Sequence, residues 1–330
     1  MNVAVVGATG AVGETILRLL EERNLPITQL APFASRERAQ AVRFRGFALD
    51  VRAASHEALR GFDVVFFAGG EDASEQYAPA IVERGSIVID NSATFRMRGD
   101  VPLIVPDVNA EVIRAEHRLF PVANCTAIVL CTALRPIRDA AGLRSVRVAT
   151  YQAASGAGRP GIEELIAGED AIARGENEPS AAIFGRPLAR NVVPQIGSLD
   201  ADGWSGEERK VRDETRKLLD RPDLRVTVIA VRVPVLTAHS EAVFVETQRD
   251  ATVEMLGSAL EAAPGVVFHR EGIVTPREVQ GTDEVHVARL RRESERDFAL
   301  WCVGDQLRRG AATNAVQILE LLLRKGYVAA

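Results

Sequence analysis

The chain has 330 residues, of which 47% are apolar and 26% charged, and its net charge is −5. That length suits two domains whose cores need no metal or disulfide staples, and the lack of a basic block argues against nucleic acid or an anionic membrane surface as a main partner. A modest acidic balance still leaves room for anionic small molecules, because a few placed arginines decide that locally.

The opening "MNVAVVGATG" has no basic n-region and its apolar run stops at a glycine, so it does not read as a signal peptide. No stretch approaches the roughly 18 apolar residues that span a bilayer. The three cysteines, Cys125, Cys131 and Cys302, are odd in number and without CxxC spacing. Neither a disulfide framework nor a metal site is expected, and a reducing cytoplasm is the expected location.

In chain order, "NVAVVGA" reads as a strand and "AVGETILRLLEERN" as an amphipathic helix ending near Asn24. "ITQLAPFAS" supplies the second strand. "DVVFFAGG" and "SIVIDNS" are two more buried strands separated by the helix-like "DASEQYAPAIVERG". Such alternation predicts a doubly wound parallel sheet of the Rossmann kind. Cys125 stands at or just before a helix starting near Thr126. Farther on, "SVRVATYQAAS", "VTVIAVRVPV", "EAVFVETQ", "HVARLRRE" and "FALWCVGD" predict a mixed, largely antiparallel sheet. The end, "GAATNAVQILELLLRKG", is an amphipathic helix with Gly326 as its stop. The fold class is therefore α/β, a Rossmann-like domain plus an α+β domain with a mixed sheet. We divide the chain into residues 1–125 completed by a C-terminal helix at 306–330, and residues 126–305.

"GATGAVG" places Gly7, Gly10 and Gly13, with Thr9, Ala11 and Val12 between them, where a strand turns into a helix. Glycines there permit a tight turn and close approach of a pyrophosphate, which the helix N-terminus then holds; a merely structural turn is the alternative. The second strand does not end in the acid that grips an NAD ribose. It ends in Ser35, with Arg36 and Arg38 following, which suits the 2′-phosphate of NADP. Short-chain reductases share the glycine spacing but need Tyr-x-x-x-Lys, and none of Tyr77, Tyr151 and Tyr327 has the lysine.

A thiol at a helix start is favoured as thiolate and can share the site with an oxyanion. From local sequence alone Cys125 is as well read as a small buried residue as a nucleophile. Cys131 and Cys302 read as core. Of five histidines, His239 in "RVPVLTAHS" follows Arg232 by seven residues at a strand-to-turn junction. Dinucleotide, thiol, histidine and arginine together suggest aldehyde or acyl-phosphate chemistry through a thioester.

The chain resembles the aspartate-β-semialdehyde dehydrogenases of bacterial type nearly end to end. The resemblance rests on "FFAGG", "DNSATFRMRGDVPLIVPDVN", "NCTAIVL", "TYQAASGAGRPGIEEL", "NVVPQIG", "RVPVLTAHS" and "LWCVGDQLRRGAATNAVQI". It implies Cys125 as the acyl-forming nucleophile, His239 as acid/base, and Gln152 as orienting substrate or thiol. It further implies Arg232 on the substrate carboxylate, Glu207 (or its neighbour Glu208) on the amino group, and Arg96 with Lys210 on phosphate. Ser155 and Gly156 would line the nicotinamide side, and Gln317 would contact NADP from the last helix. It implies a small-molecule substrate, aspartyl phosphate or aspartate semialdehyde, and a homodimer or homotetramer. Two departures stand out: "SRERAQ" is about one residue shorter than the family's usual loop, and "VANC" replaces the frequent Asn-Pro-Asn-Cys. A related acyl-phosphate reductase, such as N-acetylglutamyl-phosphate reductase, and a non-catalytic paralogue are the rival readings.

Overall fold

The computed structural model describes residues 1–35 and 40–329. Its contacts divide the chain into two units, Met1–Ala123 with Ala311–Ala330, and Asn124–Gly310. Asn124 and Cys125 thus begin the second unit, whereas the sequence division left Cys125 at the end of the first.

The first unit opens with β1 (Asn2–Val6), α1 (Ala11–Glu22) and β2 (Gln29–Ala34). An antiparallel hairpin, β3 (Ala41–Phe44) and β4 (Phe47–Asp50), is followed by the short β5 (Arg52–Ala53). Then come β6 (Val64–Phe67), α2 (Glu71–Glu83), β7 (Ile87–Asp90), a turn of helix α3 (Pro106–Asn109) and β8 (Leu119–Pro121). The strands join in the order β5-β2-β1-β6-β7-β8, all parallel. β6 and β7 are buried at every residue, as an unbroken "VVFF" and "IVID" require in a sheet covered on both faces.

The second unit starts with α4 (Cys125–Ala141), β9 (Leu143–Gln152), α5 (Gly158–Arg174) and α6 (Gly206–Leu218). β10 (Arg225–Arg232), β11 (His239–Thr247), α7 (Val253–Glu261), β12 (Val266–Phe268), the one-turn α8 (Pro276–Val279), β13 (Val285–Arg292) and β14 (Asp297–Gly304) follow. Their sheet runs β10-β9-β11-β14-β13-β12. It is mixed: β10 and β12 pair parallel with β9 and β13, and the three inner pairings are antiparallel. The last helix, α9 (Thr313–Arg324), belongs to the first unit, where it packs on α1, α3 and β7. Asn314 donates to the Ile104 carbonyl (3.1 Å), and Glu320 pairs with Arg23 (2.9 Å).

Strand alternation gives the second sheet two different faces. Helices α4, α6 and α7 lie against it. In register on one face are Thr150 of β9, Glu241 of β11 and Cys302 of β14, all with no exposed surface. On the other face lie Ile229, Tyr151 and Phe244, exposed by 55%, 39% and 40%.

Glu241 is unusual because neither of its carboxyl oxygens has a hydrogen-bond partner. Burial pushes this carboxyl well above the usual range, so the folded chain holds its proton to higher pH than the unfolded chain does. The unfolded chain releases that proton above about pH 4.3, so the native state binds more protons and stability falls as pH rises past that value. Each pH unit over which only the unfolded state ionises costs ~1.4 kcal/mol. We expect Glu241→Gln to raise the melting temperature at pH 7–8 by several degrees, with the gain vanishing below about pH 4. Melting curves across pH check this; a gain that does not vary with pH would refute the protonation argument.

Candidate active site

In the first unit β1 hands the chain to α1 through Gly7, Gly10 and Gly13. Gly7 has φ +83°, and a Cβ on it would sit 2.6 Å from the Ala68 and Gly69 backbone. A Cβ on Gly13 would lie 2.1 Å from the Gly7 carbonyl oxygen, so helix and turn meet only because both are glycines. Gly10 is the N-cap of α1 and brings no side-chain acceptor to the first turn. The N–H groups of Ala11, Val12 and Gly13 lie in that turn, ahead of the helix's own carbonyl partners. This cradle fits a pyrophosphate, with Thr9 partly exposed in the turn. Ser35 follows β2 and is exposed; Arg36 and Arg38 lie outside the described residues.

Elsewhere in this unit Asp90 ends β7 fully buried, accepting from Ser74 Oγ (2.5 Å), Ser92 N (2.8 Å) and Ser92 Oγ (2.7 Å). Burial pushes its carboxyl up against the opposing pull of those donors and of Arg96. The knot braces the loop in which buried Arg96 donates to the Asn91 carbonyl (2.9 Å). Gln317 on α9 donates to Asp107 (3.3 Å).

In the second unit, three adjacent strands bring Gln152, Arg232 and His239 together. β9 ends at Gln152, β10 ends at its register partner Arg232, and the neighbouring β11 begins at His239. All three are buried. Arg232 Nη1 donates to the Ala153 carbonyl (2.7 Å), and its backbone is clamped by Val193 of the "NVVPQIG" segment (2.8 and 2.9 Å). Desolvation lowers its pKa, while Cys125 and Glu207, both within electrostatic range, oppose that shift. Gly156 is where Arg232 and His239 converge: a Cβ there would be 2.6 Å from Arg232 Nη1 and 3.1 Å from His239 Nε2.

His239 is held in one tautomer. Its Nδ1 accepts from the Ala153 N–H (3.0 Å), so the neutral ring carries its proton on Nε2, which has no partner in the structure. Burial and the Arg232 charge drive its pKa well below the usual histidine value. At neutral pH it is therefore a neutral ring offering an N–H, able to donate at Nε2 but not to accept there.

Cys125 is the first residue of α4 and partly exposed. The helix N-terminus and Arg232 favour a thiolate. Cys131, one and a half turns on, is fully buried beside Thr215, Glu241 and Glu214, and desolvation pushes its thiol far up; Cys302 behaves likewise. Both are core, as the sequence suggests. Gly310 backs Cys125, since a Cβ there would meet Cys125 Cβ at 2.8 Å.

Helix α6 gives Glu207 and Glu208 different surroundings. Glu208 is used up structurally: it completes a capping box with Ser205 and accepts from the Ala230 N–H (3.0 Å). Glu207 faces the site, its Oε1 accepting from Gln152 Nε2 (3.1 Å) and from Asn124 Nδ2 (2.9 Å). Lys210 lies about one turn further along α6 and is exposed. Ser155 Oγ accepts from Gln306 Nε2, and Gln306 Oε1 in turn accepts from the Ala238 N–H (2.8 Å), the residue before His239.

Asn124, Gln306 and Gly310 are site residues that sequence reasoning missed. Asparagine before a helix start is an N-cap signal and could have marked Asn124. Gln306 and Gly310 fall in "GDQLRRG", where no local pattern tells that the chain returns to Ser155 and Cys125. Among the described residues no group of three or more His, Cys, Asp or Glu could hold a metal, and no helix is long and apolar enough to cross a membrane.

Comparison with known proteins adds the family. The profile described as "Semialdehyde dehydrogenase, NAD binding domain" matches residues 2–116, and "Semialdehyde dehydrogenase, dimerisation domain" matches residues 134–309. The aspartate-semialdehyde dehydrogenase of Aquifex aeolicus is 40% identical over 337 residues, covering 99% of both chains; that of Bacillus subtilis is 40% identical over 342 residues with the same coverage. Among solved structures, aspartate semialdehyde dehydrogenase II of Vibrio cholerae complexed with ASA aligns with a TM-score of 0.93 and 38% identity over 98% of each chain. Matches of this identity along nearly the whole length place the chain in the aspartate-semialdehyde dehydrogenase family.

Proposed function

We propose that the chain reduces L-4-aspartyl phosphate to L-aspartate 4-semialdehyde with NADPH, releasing phosphate, through a thioester on Cys125, as a step of lysine, threonine and methionine biosynthesis. One observation carries this reading: a helix-start cysteine shares its surroundings with a buried arginine, a carboxylate and a histidine fixed as an N–H donor. Those are the groups that an α-amino acid with a reactive acyl carbon calls for.

In this reading the first unit is the NADP-binding domain. Gly7, Thr9, Gly10, Ala11, Val12 and Gly13 hold the pyrophosphate, and Ser35 with Arg36 or Arg38 takes the 2′-phosphate. Gln317 contributes from α9, and Ser155 and Gly156 line the nicotinamide side. Arg232 grips the substrate α-carboxylate with its planar fork, and Glu207 takes the ammonium. Arg96 and Lys210 bind the phosphate.

The Cys125 thiolate attacks the acyl carbon, forming the C–S bond as the C–O bond to phosphate breaks. NADPH, when bound, supplies the hydride that reduces the thioester. His239 Nε2–H donates to the carbonyl oxygen as negative charge gathers there. Breakage of the C–S bond then frees the aldehyde and restores the thiolate. The one proton consumed overall leaves on the phosphate. Gln152 acts by holding Glu207, which narrows the broader orienting role suggested by sequence.

The test runs the reaction backwards, following NADP reduction with aspartate semialdehyde in the presence and absence of phosphate. Phosphate-stimulated turnover is expected, with no comparable rate on N-acetylglutamate semialdehyde. A folded protein without phosphate-stimulated turnover would be the non-catalytic paralogue, and preference for the acetylated substrate would favour the other reductase.

The outward sheet face bearing Ile229, Tyr151 and Phe244 is assigned to a homodimer contact, in keeping with the matched dimerisation domain. We expect Ile229→Asp to shift the species seen by light scattering from dimer to monomer; an unchanged mass would place the contact elsewhere. The cytoplasm is the proposed location, in keeping with three free thiols.

A further inference from the structure

Asn124 does three things at once. Its Oδ1 accepts from the Thr126 and Ala127 N–H groups (3.0 and 3.1 Å), capping α4 immediately before Cys125. Its Nδ2 donates to Glu207 Oε1 (2.9 Å), and its backbone N–H donates to buried Glu214 Oε2 (2.5 Å). Glu207 and Glu214 stand seven residues apart, two turns of α6, so one helix grips this residue at two points.

The orientation of the carboxamide is forced. Flipping it would turn Nδ2 toward the two helix N–H donors and Oδ1 toward the Glu207 carboxylate, losing all three bonds. With Gln152 also donating to Glu207 Oε1, that oxygen is doubly occupied. Glu207 Oε2 receives no hydrogen bond from the described residues. The same rigid amide plane thus fixes the start of α4, where the thiol sits, and the carboxylate opposite.

We propose that Asn124 is a positioning residue that sets the spacing between Cys125 Sγ and Glu207 Oε2, and so matches the site to a substrate whose ammonium and reactive carbonyl stand a fixed distance apart. The proposal rests on Glu207 as the ammonium acceptor. It explains why the N-cap is asparagine: aspartate caps a helix equally well but would set an oxygen against Glu207.

The experiment is a double-mutant cycle with Asn124→Asp, Glu207→Gln and the pair, read by KM and kcat for aspartate semialdehyde and by melting temperature. Asn124→Asp keeps the cap and is expected to raise KM roughly 10-fold, more than it lowers kcat, and to lower the melting temperature. In the Glu207→Gln background both effects are expected to disappear, because the amide introduced at position 207 can donate to the carboxylate introduced at position 124; KM there stays at the level of Glu207→Gln alone. Asn124→Ser, which caps without reaching Glu207, is expected to raise KM in the Glu207 background only. Equal losses in both backgrounds would overturn the proposal, because the effect of position 124 would then not pass through Glu207. The melting cycle needs no substrate, so it judges the Asn124–Glu207 coupling even if wild type proves inactive on aspartate semialdehyde, a result that would instead sink the proposed function.

Discussion

Cys125→Ser is expected to lower phosphate-dependent NADP reduction by on the order of 10⁴-fold while leaving the melting temperature nearly unchanged. The substituted oxygen would occupy nearly the same place, so the loss is one of ionisation. The start of α4 and the Arg232 charge suffice to favour a thiolate, but a hydroxyl ionises far less readily and needs a neighbouring base. His239 cannot serve as one at Nε2, because the Ala153 N–H holds Nδ1 and leaves the proton on the other nitrogen. The same argument predicts a signature in the wild type: without phosphate, aspartate semialdehyde and NADP should give a burst of about one NADPH per site as the thioester accumulates. Cys125→Ser should show no burst. Turnover within 10-fold of wild type would rule out the thioester path.

Gly156→Ala is expected to reduce kcat/KM by roughly 10³-fold without unfolding the protein. Gly156 does not occupy the left-handed region, so alanine meets no backbone penalty. The obstacle is the added methyl, 2.6 Å from Arg232 Nη1 and 3.0 Å from His239 Cε1. Arg232 has little room to yield, being tied to the Ala153 carbonyl and bonded to Val193 through its own backbone. A shift near 1 Å in one positioning group costs about 10²-fold, and here two groups are pushed together. Steady-state kinetics beside a melting curve check the outcome. Wild-type kinetics in Gly156→Ala would mean that Arg232 and His239 do not act at the point where they converge.

Much of the fold was legible because buried parallel strands advertise themselves. "VAVV", "VVFF" and "IVID" admit no other economical placement, and the glycines between β1 and α1 mark the turn. The second sheet was legible as mixed, but its parallel edge pairs were not. β9 and β10 join residues as far apart in sequence as Ser145 and Arg225, and alternation is blind to direction. Cys125 and His239 came forward through residue type and position. Gln152 did not reveal its hold on Glu207, and Glu207 could not be told from Glu208, because both answers depend on the phase of α6 against β9. α6 itself, a charged helix whose only apolar side chains are Val211 and Leu218, was not among the elements read from the sequence, so its phase was not available.

The return of α9 to the first unit has a consequence for the order in which the chain is made. Residues 1–123 leave the ribosome early, yet their layer over β7 and α1 is supplied by 311–330, which are synthesised only after Asn124–Gly310. Asn124–Gly310 is continuous and can finish folding while the amino-terminal unit still waits for its closing helix. The unit begun first is therefore completed after the one that follows it. A stop codon at position 311 would spare the second unit and leave the first without its α9 layer, the Arg23–Glu320 pair and the Asn314 tie to Ile104.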